Sequence, residues 1–204
     1  SFVSRGLGDV YKRQSNDCER DHKSERAELY SKYFKLGEKW YSWSIYVPKG
    51  QKKFKPASLK MGQFHSKLHK KYIQQAHFEH NDGKYTFNNV VCGSECKSRS
   101  IDPVGKWTDI IINVNWSDKE DGFYRVWANG KFIYDVKGPT VYENKNNAYL
   151  KIGIYRNAVN RLWGMGRDGG TTVVYYDNIN AGETMGSVLG KLNYPIELEY
   201  KKSE

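Results

Sequence analysis

The 204-residue sequence predicts an all-β fold, a β-jelly roll sandwich of two antiparallel sheets with a concave substrate groove. Many short segments alternate apolar and polar residues at the two-residue period, and Gly or Asn turns separate them at regular spacing. No segment of eleven or more residues fits a helical period better. The 16 Tyr and 6 Trp suit half-buried strands and a surface that meets sugar or base rings.

In chain order, "SRGLGDVYKRQ" resembles a translated sequencing-adapter read, so residues 1–14 are expected to be a non-native leader and 15–204 a single domain. A native signal peptide is expected to be missing upstream. "CERDHKSERAELY" starts as a charged turn and enters a strand in which Arg26 and Glu28 share a face. "WYSWSIYVP" sets Tyr41, Trp43, Ile45 and Val47 against Trp40, Ser42, Ser44 and Tyr46, and Pro48 ends it. In "SLKMGQFH", strict alternation puts Leu59, Met61, Gln63 and His65 on one side, with Gly62 and Phe64 on the other. Strands are expected at 72–79 and 84–91, then in "KWTDIIINVNW". "GFYRVWANGKFIYDV" is a hairpin turning on Asn129-Gly130, the pair suited to a type I′ turn. "YLKIGIYR" carries Leu150, Ile152 and Ile154 on one face and Tyr149, Lys151, Gly153 and Tyr155 on the other. "TTVVYYDNI" closes the set, and "PIELEY" adds an edge.

The net charge is +10, and residues 49–71 hold eight lysines with no acidic residue. That segment attracts polyanions, unless it is a solvated edge strand and loop. No apolar run reaches the length of a membrane span, so no membrane partner is expected. Cys18, Cys92 and Cys96 leave one thiol outside any internal pair; Cys92 with Cys96, or Cys18 with either, would suit an exported protein. Alternatively, His77, His80, Cys92 and Cys96 offer four zinc ligands.

Gln63 and His65 share a strand face, as do Lys151 and Tyr155. If both strands line the groove, an amide, an imidazole, an ammonium and a phenol meet there, the parts needed for β-elimination at a uronic acid. The C5 proton beside a carboxylate leaves only if donors absorb the charge that develops on that group, and Gln63, Arg26 or Lys151 could do so. A base takes the proton and an acid serves the leaving oxygen on C4; His65 and Tyr155 suit these roles in an order set by the configuration at C5. Gly153 either leaves room for a sugar ring or marks a bulge.

"MGQFHS", "KWTDIIINVNWSDKEDGFYRVWANGKFI", "YLKIGIYR" and "TTVVYYDNI", together with "ERAEL", resemble in order and spacing the polysaccharide lyase family that contains glucuronan lyases and is related to heparin lyase I. The resemblance spans roughly residues 18–180. It implies a secreted β-jelly roll that cleaves an acidic uronate polymer such as glucuronan or alginate. His65, Tyr155 and Gln63 are then catalytic, and Arg26, Lys151 and Tyr149 contact substrate. No cofactor is required by such an enzyme, although "SDKEDG" is a candidate for structural calcium. A monomer acting on an anionic polysaccharide is expected.

Two other readings compete. A non-catalytic carbohydrate-binding module would explain the aromatics and lysines without needing His65 or Tyr155. Nucleic-acid binding is permitted by charge, yet no helix-turn-helix, zinc-finger or RRM pattern is present, and none is expected as partner. His65 and His69 do not converge on a strand as they would on a helix.

Overall fold

A computed structural model describes residues 24–189, apart from 52–53, 69–70, 82, 94–95, 143–146 and 168–169. The expected leader 1–14, Cys18, His69 and the expected edge strand at 195–200 lie outside the described residues.

Two antiparallel sheets pack face to face. The first has the order β1 (Ser24–Tyr30), β10 (Asn147–Asn157), β4 (Ser58–Leu68), β5 (Lys71–Asn81), β6 (Lys84–Asn89), with β2 (Phe34–Lys35) also paired to β10. The second runs β11 (Tyr175–Gly182), β3 (Gly37–Tyr46), β7 (Trp107–Trp116), β8 (Phe123–Ala128), β9 (Lys131–Lys137). Two short helices complete the described residues, α1 (Asn160–Trp163) and α2 (Met185–Leu189).

The two-residue period explains the core. Tyr41, Trp43 and Ile45 of β3 and Ile110, Ile112 and Val114 of β7 are fully buried, and meet Leu150 and Ile152 of β10 and Phe78 of β5. Each such side chain contributes roughly 1.5–3 kcal/mol by leaving water. Asn129 and Gly130 join β8 to β9 with φ of 48° and 73°, the positive pair a type I′ turn requires.

The lysine-rich segment is not an edge. Its strand, β4, lies between β10 and β5, and in the loop before it the described residues Lys49, Gly50, Lys55 and Pro56 are exposed.

Strict alternation also fails along β4. Leu59, Met61 and Phe64 are buried in the core, whereas Gln63 and His65 sit on the opposite face. The phase changes at Gly62, which adopts φ 118° and directs the position of an added Cβ toward Trp43, Tyr85 and Ile152. Met61 and Gly62 thus face inward in succession, as in a β-bulge. The register slips here against both neighbours: Lys60 pairs with Tyr155 and Gln63 with Lys151 on β10, while on β5 the same residues pair with Glu79 and His77. A second slip, between Ala76 and Gln74, turns the Gln74 side chain to the polar face and leaves Gln75 buried against Ser66.

At the bulge, two buried phenols reach out of the core to the backbone. Tyr85 donates its hydroxyl to the Met61 carbonyl at 2.5 Å, and Tyr176 donates to the Gly153 carbonyl at 3.1 Å. Burial pushes both phenols well above the ordinary tyrosine range, which keeps them protonated donors.

Candidate active site

The outer face of the first sheet gathers ionisable and amide side chains from four strands. β1 contributes Ser24, Arg26 and Glu28; β10 contributes Tyr149, Lys151 and Tyr155; β4 contributes Lys60, Gln63 and His65; β5 contributes Gln74 and His77. Every residue proposed from sequence therefore lies on one face of adjacent strands, with Tyr149 opposite His65 and Lys151 opposite Gln63.

A relay of side chains connects them. The Lys60 ammonium donates to Gln74 Oε1 at 2.8 Å, and Gln74 Nε2 donates in turn to Gln63 Oε1. Gln63 Nε2 donates to the Glu28 carboxylate, whose other oxygen pairs with Lys151 Nζ at 3.3 Å. An ammonium only donates and a carboxylate only accepts, so the two charged ends fix the orientation of both amides. Gln63 consequently presents a carbonyl oxygen to His65 Nε2, 3.1 Å away. Nε2 must carry the hydrogen, which leaves the lone pair on Nδ1. That nitrogen is covered and has no hydrogen-bond partner among the described residues.

His65 is held neutral. Burial pushes its pKa down to about 3, and the positive charges of Lys151, Lys60 and Arg26 act in the same direction. His77, paired with Gln63 across the ladder, is also pushed down to about 3, by burial first and then by Lys60, His65 and Lys97. Lys60 is lowered by burial, against the pull of Glu79 and Glu28.

Opposite Lys60 on the ladder, Tyr155 donates its hydroxyl to Ser24 Oγ at 3.2 Å, and Ser24 donates to Asn157 Oδ1 at 3.1 Å. Two cations flank its ring: the Arg26 guanidinium at 4.9 Å and the Lys60 ammonium at 5.9 Å from the centroid. Arg26 and Lys60 therefore act on both ring systems, bordering the phenol and repelling a proton from the imidazole.

Several expectations change in detail. Gln63 is 2% exposed with its oxygen and one N–H engaged, so in this arrangement it orients His65. Tyr149 is 5% exposed and lies beneath Tyr30 and Tyr33, with its ring 5.9 Å from that of His65. Gly153 leaves no room for a sugar: an added Cβ would fall 2.2 Å from the Ala27 carbonyl oxygen and 2.8 Å from Glu28 Cα, so the missing side chain admits β1. Its φ of 138° and the register slip between Lys151 and Tyr155 make it a bulge residue.

The zinc alternative fails. Cys92 and Cys96 form a disulfide, and His77 and His80, three apart on a strand, point to opposite faces. Among the described residues no three His, Cys, Asp or Glu side chains converge as metal ligands. The "SDKEDG" segment is a turn in which Ser117 Oγ donates to Asp121 and receives the Lys119 N–H. No helix among the described residues is long and apolar enough to cross a membrane.

Sequence reasoning passed over Lys60, Gln74, Glu28, Ser24 and His77 as site residues. The glycine inside the β4 pattern was the available signal for Lys60, because it points to a bulge and hence to a change of face that brings Gln63 and His65 to the side of Lys60; no residue of β5 signals the slip that turns Gln74.

This two-sheet antiparallel sandwich, with ionisable and amide side chains crowded on one outer face, is of the β-jelly-roll class. Within that class the chain belongs to the polysaccharide lyase family, whose model matches residues 4–180. Among solved structures, it is similar to an endo-β-1,4-glucuronan lyase from the fungus Trichoderma reesei, with 16% identity, a TM-score of 0.64, and coverage of 81% of this chain and 77% of that one. It is also similar to the marine family 7 alginate lyase AlyA1 from Zobellia galactanivorans, at 14% identity and TM-score 0.55 over 82% of this chain and 73% of that one. A third similar structure is a family 7 alginate lyase in complex with substrate, at 14% identity and TM-score 0.54 over 81% and 72% of the two chains. At these identities the likeness is one of fold. No curated protein sequence matches the chain.

Proposed function

We propose that this polysaccharide lyase cleaves a uronate-containing anionic polysaccharide, of the glucuronan or alginate kind, by β-elimination. The observation that carries the reading is the placement of a neutral imidazole and a proton-bearing phenol on neighbouring strands of one face, with Arg26 and Lys60 serving both. Arg26 and Lys60 supply the positive charge that a uronate carboxylate needs while C5 loses its proton. Tyr155, already a hydrogen-bond donor, gives a proton to the leaving oxygen on C4. His65, neutral across the working pH range, takes the C5 proton when that proton and the leaving oxygen lie on opposite faces of the sugar. Because Nδ1 is covered, the ring must turn toward the sugar to do so. Where the two lie on the same face, Tyr155 can serve at both steps once its own proton has passed to solvent, taking the C5 proton as a phenolate and handing it to the leaving oxygen on C4. Gln63 positions His65, and Lys151 acts through Glu28.

The named substrates of the similar structures, glucuronan and alginate, support this class of polymer. The Cys92–Cys96 disulfide supports an extracellular setting, and the family match over residues 4–180 supports one catalytic domain; on this reading the enzyme acts as a monomer and needs no cofactor.

The test is incubation of the purified chain with glucuronan, mannuronate-rich and guluronate-rich alginate, and heparin, followed by ultraviolet detection of unsaturated ends. His65→Ala and Tyr155→Phe should retain polymer binding and lose about 10²–10⁴ in rate. Unchanged product release by both variants would refute the assignment, and polymer binding without any cleavage by the wild type would favour a carbohydrate-binding module.

A further inference from the structure

Building on that reading of the site, we propose that Tyr30 and Tyr33 form a sugar-stacking subsite beside His65, holding a residue of the anionic polysaccharide beyond the linkage that is cleaved. Ser24, Arg26, Glu28 and Tyr30 alternate along β1, so Tyr30 extends the polar row by one side-chain step past Glu28, about 7 Å. It pairs with Lys151 across the ladder. Tyr33 comes from the short connection to β2.

Both rings stand edge-to-face on Tyr149, with centroids at 6.5 and 5.0 Å and interplanar angles of 75° and 70°. Tyr149 is the buried floor, while Tyr30 and Tyr33 are 48% and 50% exposed. Neither exposed hydroxyl makes a hydrogen bond among the described residues. The connection is fixed before any ligand arrives: Ser31 N donates to the Leu150 carbonyl at 2.9 Å, and Leu150 N donates to Ser31 Oγ at 3.0 Å. Two large rings held half in water at the end of a cationic acid–base face match one kind of ligand. The C–H face of a pyranose covers the rings, and its hydroxyls and carboxylate meet the phenols and the nearby Lys151.

The experiment compares the full chain with Tyr30→Ala, Tyr33→Ala and the double variant on polymer and on size-graded oligouronates, alongside retardation in gels containing glucuronan or alginate. The expected result is a rise in KM on polymer of about three- to tenfold per ring, as a ring contact of this kind would give. The rise should exceed any fall in kcat, shrink as the oligosaccharide shortens, and be largely restored by Tyr→Phe at the same positions. An unchanged KM on polymer overturns the proposal. So does an equal loss at every length carried by kcat, which would mark a purely structural role through Tyr149. If no uronate polymer yields unsaturated ends, the reaction assigned above fails, and gel retardation still judges the subsite: equal retardation of wild type and double variant rejects it.

Discussion

Lowering the pH from 7 to 5 should destabilise this protein through two specific histidines. His65 and His77 each have an ordinary pKa of 6.5 when unfolded and about 3 in the fold. Below pH 6.5 the unfolded chain takes up protons that the native state refuses, so the stability present above that pH drains away until about pH 3. For one histidine with these values, the loss between pH 7 and pH 5 works out at about 2 kcal/mol. Urea denaturation followed by tryptophan fluorescence at the two pH values measures it. His77→Gln removes one titrating ring, and His65→Gln the other, so each variant should show a shallower fall than wild type, by roughly half. A midpoint that does not move in the wild type, or moves equally in all three proteins, would show that neither ring is kept neutral by the fold. Activity should follow the folded fraction through this range, because His65 does not gain a proton while the protein remains folded.

Three further outcomes are expected. Gly153→Ala forces a Cβ into the backbone of β1 at a positive φ and should lower stability by about 3 kcal/mol or more, read as a fall in the urea midpoint. Glu28→Ala strands a mostly buried Lys151 and unfastens Gln63; a loss of about 3–5 kcal/mol is expected, with kcat reduced even where the variant remains folded. Tyr176→Phe leaves the Gly153 carbonyl without its buried donor and should destabilise by about 1–3 kcal/mol, checked by thermal melting; an unshifted melting temperature would show that the carbonyl finds another partner.

The sandwich was readable wherever one residue type per face repeated without interruption. β3 alternates along its length, β10 keeps Leu150, Ile152 and Ile154 inward on either side of its bulge at Gly153, and the β8–β9 turn is spelled by the pair Asn129-Gly130, because few other residues tolerate positive φ twice running. β4 was not readable past Gly62. Periodicity assumes one residue per ladder step, and the extra residue there exchanges the faces of everything after it, including His65. The same holds for Gln74, which reaches the polar face through the slip around Gln75. Glu28, Lys60 and Lys151 were visible as charges, but what each charge does depends on partners 35, 14 and 123 residues away, respectively. Nor could local sequence tell that Tyr149 would be roofed by Tyr30 and Tyr33, since that follows from how β1 and β2 flank β10.

Tyr85 and Tyr176 have a practical consequence for anyone engineering this enzyme. Judged by oiliness alone, phenylalanine looks like an improvement at either position, since it fills the interior and sheds a polar atom. Yet those two oxygens brace from behind the kinked ribbons that carry His65 and Tyr155, so a variant chosen for greasiness would unsettle that polar face from inside the core.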